Sequence, residues 1–169
     1  YLRASSRPYL TEFEFNEHGE LKESERLEHE PKPAISVVHV EGELFFGAAE
    51  IFRAQIQKIT HDPAIKIIIL QLKNARRLDA TSVIALEELV SFLRSKKRDV
   101  VLGGVTKDVY RVLKNSGVLE TIGRSNILPY NQRNPNLSTK YALKRSLELL
   151  GTDDAAVRIF YDPNKGKKN

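Results

Sequence analysis

The strongest hydrophobic pattern in the chain runs through residues 65–98. Residues 65–72 are almost continuously apolar and rich in β-branched side chains, which predicts a strand buried on both faces. The polar residues 73–78 predict a bend. Apolar residues then recur at helical spacing from Val83 to Leu93, which predicts an amphipathic helix with a polar outer face. This strand, turn and helix form the predicted centre of the fold.

Similar patterns divide the rest of the chain into short elements. Residues 35–40 and 43–46 are predicted to form a hairpin-like pair of strands around Glu41 and Gly42, which would make the sheet mixed. Alternating strands and helices indicate an α/β domain. Further strands are predicted at residues 9–15, 99–105, 126–128 and 155–161, and further helices at residues 48–60, 107–116 and 138–150.

Changes in composition divide the chain into three parts. Residues 1–33 hold 5 basic and 8 acidic residues, and we interpret them as a linker with a β-hairpin-like appendage. Residues 34–150 are the predicted main domain, and residues 151–169 a C-terminal extension with a short strand and a solvated tail. Residues 1–8 are short and basic, which is typical of a segment leaving the cytoplasmic face of a membrane.

Composition excludes several classes of protein. The 169 residues carry a formal net charge of +5 and are 41% hydrophobic, which is ordinary for a soluble domain. The absence of cysteine excludes a disulfide framework and a thiolate nucleophile. No apolar run approaches the ~20 residues of a membrane span. Because the sequence begins at Tyr1 and contains no methionine, we expect it to be a piece of a longer protein.

The turn before the central helix is the chemically distinctive point of the chain. It consists of Asp79, Ala80, Thr81 and Ser82. A helix N-terminus presents free N–H groups and a positive dipole end, so a phosphate on Thr81 or Ser82, or a bound anion, would be stabilised there. Capping of the helix by Asp79 or Thr81 explains the same residues, and it is the interpretation we favour.

The other end of the same helix is basic, with Arg94, Lys96, Lys97 and Arg98 close together. These cations could meet anionic lipid headgroups or an acidic partner. A favourable interaction with the helix dipole also accounts for them. Both interpretations are kept.

The sequence predicts neither catalysis nor a metal or cofactor. Gly103 and Gly104 lack the surrounding glycines of a nucleotide-binding loop, and we expect them to allow close packing. No base is placed beside Thr81 or Ser82. Basic residues alternate with acidic ones, which argues against nucleic-acid binding. The histidines are too scattered to ligate a metal together: His18, His29, His39 and His61.

Three stretches of the sequence resemble the STAS domain family. The first is the buried strand that ends in Asp79-Ala80-Thr81-Ser82 before an amphipathic helix. The second, residues 40–49, is similar to the strand-to-helix connection of the transporter branch, with Leu-Phe-Phe-Gly in the middle. The third, residues 103–117, resembles the family's next strand-helix unit. Together they cover roughly residues 34–129.

The resemblance implies a mixed sheet of four to six strands, with about four helices packed mainly on one face. It implies a non-catalytic regulatory domain of a SulP-family transporter of sulfate, bicarbonate or another anion, on the cytoplasmic face of the inner (plasma) membrane. The implied partners are the membrane domain of the same polypeptide, a regulatory protein or nucleotide, and a second copy through the full-length transporter.

The alternative function is a free-standing anti-sigma-factor antagonist, a soluble protein switched by phosphorylation of serine or threonine. In that branch of the family, the phosphorylated serine corresponds to Thr81 of this chain. Ser82 stands where glycine is usual. The Leu-Phe-Phe-Gly stretch and the N-terminal appendage favour the transporter branch.

Overall fold

The computed structural model describes residues 9–15, 21–23, 33–44, 57 and 61–161. These residues form seven strands and four α-helices. The strands are β1 (Tyr9–Phe15), β2 (Leu21–Glu23), β3 (Ile35–Leu44), β4 (Ile67–Leu78), β5 (Asp99–Val105), β6 (Ile127–Pro129) and β7 (Val157–Tyr161). The helices are α1 (Ala80–Ser95), α2 (Lys107–Ser116), α3 (Val118–Ile122) and α4 (Leu137–Leu150), and a 3₁₀ turn (Arg124–Asn126) precedes β6.

The strands form one mixed sheet in the order β2-β1-β7-β3-β4-β5-β6. Strands β7, β3, β4, β5 and β6 are parallel, and β1 is antiparallel to both of its neighbours. The predicted mixed α/β fold is therefore confirmed. Four of the strands lie within residues 34–150, and β7, β1 and β2 extend the sheet to seven.

Alternating side chains of the parallel strands pack into two separate apolar clusters. On β4, Ile68 and Leu70 face a cluster that includes the buried sides of α1, α2 and α3. Ile67 and Ile69 face the opposite way, into a cluster that includes Leu143 of α4. The prediction that residues 65–72 are buried on both faces is confirmed. Among the described helices, three lie on one face of the sheet and α4 on the other.

The ends of α2 lie where the sequence placed them. The Thr106 hydroxyl accepts a hydrogen bond from the Val109 N–H at 3.4 Å, and so caps the first turn. Gly117 ends the helix with φ of 81°, a left-handed conformation that glycine adopts without steric cost. Val109 and Leu113 are buried, as the helical spacing predicts.

The predicted hairpin around Gly42 is wrong. β3 is one strand from Ile35 to Leu44, parallel to β4, and Gly42 pairs with Ala75. The pairing of β3 with β4 shifts register twice in this region, and β3 continues through it without a turn. The sheet is mixed because of β1 instead. The remainder of the second predicted strand, residues 45 and 46, lies outside the described residues.

The predicted bend at residues 73–78 is also wrong, because β4 continues to Leu78. The pairing of β4 with β5 ends at Gln71, but pairing with β3 continues as far as Leu78. Ala75 and Leu78 are buried, so even this polar stretch has an apolar side. We call the paired residues 41–44 and 74–78 the β3–β4 ribbon.

One helix of the structure was not predicted, and one predicted helix lies almost entirely outside the described residues. Helix α3 was not predicted, because five residues are too few to show a helical period, although Val118, Leu119 and Ile122 are all buried. The helix predicted at residues 48–60 lies outside the described residues except for Gln57, which is helical.

The predicted C-terminal strand is present and lies inside the sheet. β7 pairs with β3 on one side and with β1 on the other. Val157 pairs with both Ile35 and Phe13, and its side chain is fully buried. The domain boundaries after residues 33 and 150 stay predictions, and the sheet is continuous across both.

Candidate functional site

The turn between β4 and α1 is closed by the side chain of Asp79. Asp79 has an extended backbone, with φ of −84° and ψ of 173°, and the helix begins at the next residue. Its Oδ1 accepts a hydrogen bond from the Ser82 N–H at 2.8 Å. Capping by Asp79, one of the two sequence interpretations, is therefore confirmed.

The same contact determines the charge of the turn. The pKa of Asp79 is lowered because its carboxylate accepts hydrogen bonds from Ser82, and these bonds favour the ionised form. The bond from the Ser82 N–H has the larger effect, and the bond from the Ser82 hydroxyl the smaller one. The negative charge lies at the positive end of the α1 dipole. A second anion at this N-terminus would therefore meet a carboxylate that already holds one of the free N–H groups.

The two hydroxyl residues of the turn differ sharply in accessibility. Thr81 is exposed, as is Ala80 beside it. Ser82 is only 4% exposed and belongs to the buried side of α1, one position before Val83. Of the two phosphoacceptor candidates, Thr81 is the one that a modifying enzyme could reach without unfolding the helix.

The basic end of α1 is an ordered helix terminus. Lys97 has φ of 58°, and its N–H donates to the Arg94 carbonyl at 3.0 Å. The Arg98 N–H donates to the Leu93 carbonyl at 2.9 Å. These two bonds form a Schellman motif, in which Lys97 occupies the left-handed position that glycine usually takes.

Arg94 links α1 to two other elements. Its Nε donates to the Asp99 carboxylate at 3.3 Å, at the start of β5. Its two terminal nitrogens donate to the carbonyls of Thr121 and Ile122, the second at 2.6 Å. Because these carbonyls end α3, the guanidinium caps that helix and interacts favourably with its dipole.

The remaining cations of this segment differ from one another. Lys96 lies over the ring of Phe92, with Nζ 5.9 Å from the ring centroid, a cation–π contact. Arg98 is half-buried, and its Nη1 has no hydrogen-bond partner in the described part of the chain. Lys97 is exposed. A partner-binding or membrane-binding role for the four residues stays a prediction.

The contact between Gln71 and Gly103 was not predicted from the sequence. Gln71 is 1% exposed, and its Nε2 donates to the Thr139 hydroxyl of α4 at 3.1 Å. A Cβ on Gly103 would lie 2.6 Å from this Nε2, so only glycine leaves room for the amide. A glutamine within an apolar strand, with a glycine in the next strand, is the sequence signal that could have indicated this pair.

The outer face of α1 carries two exposed apolar side chains, Ile84 at 57% and Phe92 at 40% exposure. A shallow depression of about 420 Å³ lies along this face. It is lined by Ile84, Glu87, Glu88 and Ser91. The helical pattern had identified this side of α1 as polar, and the two apolar residues depart from that pattern.

Other functional features are limited. Within the described ranges, no three His, Asp or Glu side chains come close enough together to hold a metal ion. Among the helices that the structure describes, none has both the length and the apolar character needed to cross a bilayer. His61 is exposed and His39 half-buried on β3, while His18 and His29 lie outside the described residues.

Comparison with known protein families gave one matching model, described as the STAS domain, over residues 26–131. This segment contains β3, β4, β5 and β6 together with the turn at Asp79. A search of curated proteins gave no significant match.

Comparison with solved structures gave several similar folds. A SulP transporter STAS domain from Vibrio cholerae is 26% identical, with a TM-score of 0.56 over 70% of this chain and 84% of that one. A sulfate transporter family protein from Wolinella succinogenes is 23% identical, with a TM-score of 0.59 over 70% and 89%. Murine solute carrier 26 family member A9, an anion transporter, is 15% identical with a TM-score of 0.58, and the match covers 86% of this chain but only 23% of the transporter.

Proposed function

Because the chain belongs to the STAS domain family, we propose that it is the cytoplasmic regulatory and interaction domain of a SulP-family anion transporter. The observation that carries this proposal is the likeness to the Vibrio cholerae SulP transporter STAS domain at 26% identity. The transported anion, sulfate, bicarbonate or another, is handled by a membrane domain of the same polypeptide, which precedes this domain in the chain.

The role of the domain in this proposal is binding and not catalysis. Its two apolar clusters pack against the two faces of the sheet, and the turn between β4 and α1 exposes the polar residues Asp79 and Thr81. A change of charge or a bound regulatory protein or nucleotide would alter how the domain docks against the membrane domain, and so shift the equilibrium between transport states. The proposal also includes docking of this domain within a dimer of the full-length transporter.

Fractionation of the source cells with an antibody to this domain tests the proposal. We expect the antibody to detect a membrane-bound protein much heavier than the 19.2 kDa of this chain. Extraction with detergent but not with high salt or alkali would distinguish an integral protein from an adsorbed one. A soluble protein near 19.2 kDa would contradict the transporter proposal and support the free-standing antagonist.

The turn at Asp79 is the proposed regulatory point of the domain. Thr81 is exposed at the start of α1, two residues from a carboxylate that already caps the helix. A phosphate on Thr81 would add negative charge beside Asp79, favoured by the helix dipole but repelled by the carboxylate. Phosphorylation would therefore give the turn two states that differ in charge.

Replacement of Thr81 in the full-length transporter tests this proposal. We expect Thr81→Glu to change anion uptake by roughly fivefold or more, the lower end of common allosteric coupling. Thr81→Ala should leave uptake near that of the unmodified parent. Ser91→Glu is the matched control, because it adds the same charge to an exposed position farther along the same helix. Equal uptake by the Thr81→Glu and Ser91→Glu proteins at equal expression would overturn the regulatory role.

A further inference from the structure

The parallel strands all end at one edge of the sheet, which we call the carboxyl edge. Helices α1, α2 and α4 all begin there, because each follows a parallel strand or the loop after it. β1 runs the opposite way, and its first residue, Tyr9, pairs with Tyr161, the last residue of β7. The polypeptide therefore enters the described fold at the carboxyl edge.

Exposed cations lie at this edge on four separate elements. They are Lys73 on β4, Lys107 at the start of α2, Arg133 in the loop after β6, and Lys140 in the first turn of α4. Two exposed acids lie nearby, and both have partners. Asp79 caps α1, and the Asp108 carboxylate is 3.8 Å from Arg111.

The β3–β4 ribbon does not cancel this excess of positive charge. Its two acidic residues, Glu41 and Glu43, are on β3, and its two basic residues, Arg76 and Arg77, are on β4. The ribbon is therefore close to neutral in formal charge. The four exposed cations together with Arg111 outnumber the two acids by three, and this excess is the net charge of the edge.

Tyrosine is concentrated at the same edge. Four of the six tyrosines of the chain are placed there, one of them being Tyr110 in the first turn of α2. Tyr9 begins β1, Tyr161 ends β7, and Tyr130 follows β6 with its N–H bonded to the Val105 carbonyl at 2.9 Å. Tyrosine together with lysine and arginine is the combination that proteins place at the boundary between a membrane and water.

We infer that the carboxyl edge is the surface through which this domain binds the anionic headgroups of the cytoplasmic leaflet. The inference depends on the proposed function, since only there does a membrane domain precede Tyr9. It adds a binding surface, a lipid partner and an orientation, in which the strands run toward the membrane. Each cation near an anionic leaflet strengthens binding several-fold, and salt weakens the attraction.

Binding of the 169-residue chain to vesicles tests this surface. The probes are phosphatidylcholine vesicles with and without about a third phosphatidylserine, at low ionic strength, where screening is weakest. We expect binding only to the anionic vesicles. Reversal of three edge charges, in the Lys107→Glu/Arg133→Glu/Lys140→Glu protein, should weaken binding at least about tenfold.

A matched protein separates a local surface from total charge. Reversal of Lys66, Lys97 and Lys114, which are exposed near the opposite edge, lowers the net charge by the same amount. Lys97 belongs to the basic end of α1, so this protein also tests the rival prediction that this end meets the lipid headgroups. We expect this Lys66→Glu/Lys97→Glu/Lys114→Glu protein to bind nearly as well as the unaltered chain. Equal loss in both variants, loss in neither, or no binding to anionic vesicles would overturn the inference, provided that both variants unfold at the same temperature as the parent chain.

A fluorescent reporter gives the orientation independently. The chain contains no tryptophan, so a single one reports only on its own position. Emission of a Tyr130→Trp protein should shift to shorter wavelength on anionic vesicles, and emission of a Phe92→Trp protein, near the opposite edge, should not. The reverse pattern would overturn the proposed orientation. In one outcome, the full-length protein fractionates with membranes while the vesicle or the fluorescence experiment gives the contrary result. That combination would exclude the carboxyl edge as a lipid-binding surface and leave the transporter proposal intact.

Discussion

A chain that ends at residue 150 is expected to lose at least about 4 kcal/mol of unfolding free energy, or not to fold cooperatively. The reason is the position of β7 between β1 and β3. Without β7, the β3 edge loses a parallel partner and the apolar cluster around α4 loses the fully buried Val157. β1 and β2 also lose their described connection to the rest of the sheet.

Thermal unfolding of two truncated chains measures this effect. The matched control ends at Tyr161, so it keeps the whole of β7 and differs from the full chain only in residues 162–169. We expect the control to unfold close to the full chain, and the shorter one to have a midpoint at least about 10 °C lower in a thermal scan. Trypsin should release residues 1–33 from the shorter chain first. Equal stability of the two truncated chains would show that residues 151–161, which include β7, add nothing to the stability of the sheet.

Gly103→Ala is expected to destabilise the domain by about 1–3 kcal/mol, the usual cost of overpacking a close-packed interior. The new methyl group would lie 2.6 Å from Nε2 and 2.8 Å from Oε1 of Gln71. The amide has little space to move, because the residue is 1% exposed and bonded to Thr139. Displacing it would break that bond in the interior, where a lost partner is costly.

A double-mutant cycle tests the physical cause. Shortening the side chain in Gln71→Ala removes the overlap, so we expect Gly103→Ala to cost at least about 1 kcal/mol less in that background. Gly151→Ala is the control. It has open space around its Cβ but φ of 70°, so its cost comes from the backbone and should be the same in both backgrounds. An equal cost of Gly103→Ala with and without Gln71 would show that the overlap is not the cause.

Elements whose ends are set by nearby residues were predictable from the sequence. The limits of α2 follow from Thr106 and Gly117, both of which act on the adjacent turn of helix. The full lengths of β3 and of the second half of β4 were not predictable, because each strand is held in place by pairing with the other, which is distant in the sequence. Gly42 looks like a turn residue in isolation, but pairing with Ala75 holds it in a strand. A local signal cannot report such a partner.

The candidate site divides in the same way. The cap formed by Asp79 depends on a spacing of three residues and was predicted. The burial of Ser82 follows from the same helical period as that of Val83 and Leu86, so it could have been predicted as well. The role of Arg94 could not, because its acceptors lie on α3, a helix too short to be recognised.

The order of the strands also affects how the domain is made. β3, β4, β5 and β6 are synthesised in succession and can pair as they appear, but β7 follows all of them and inserts between β1 and β3. Until Val157 and the residues after it leave the ribosome, one side of β3 has unpaired N–H and C=O groups next to an incomplete apolar cluster. An open strand edge of this kind pairs readily with other chains. Completion of the sheet therefore depends on contacts distant in sequence, which form slowly, and the nascent chain is exposed to aggregation until its last strand is in place.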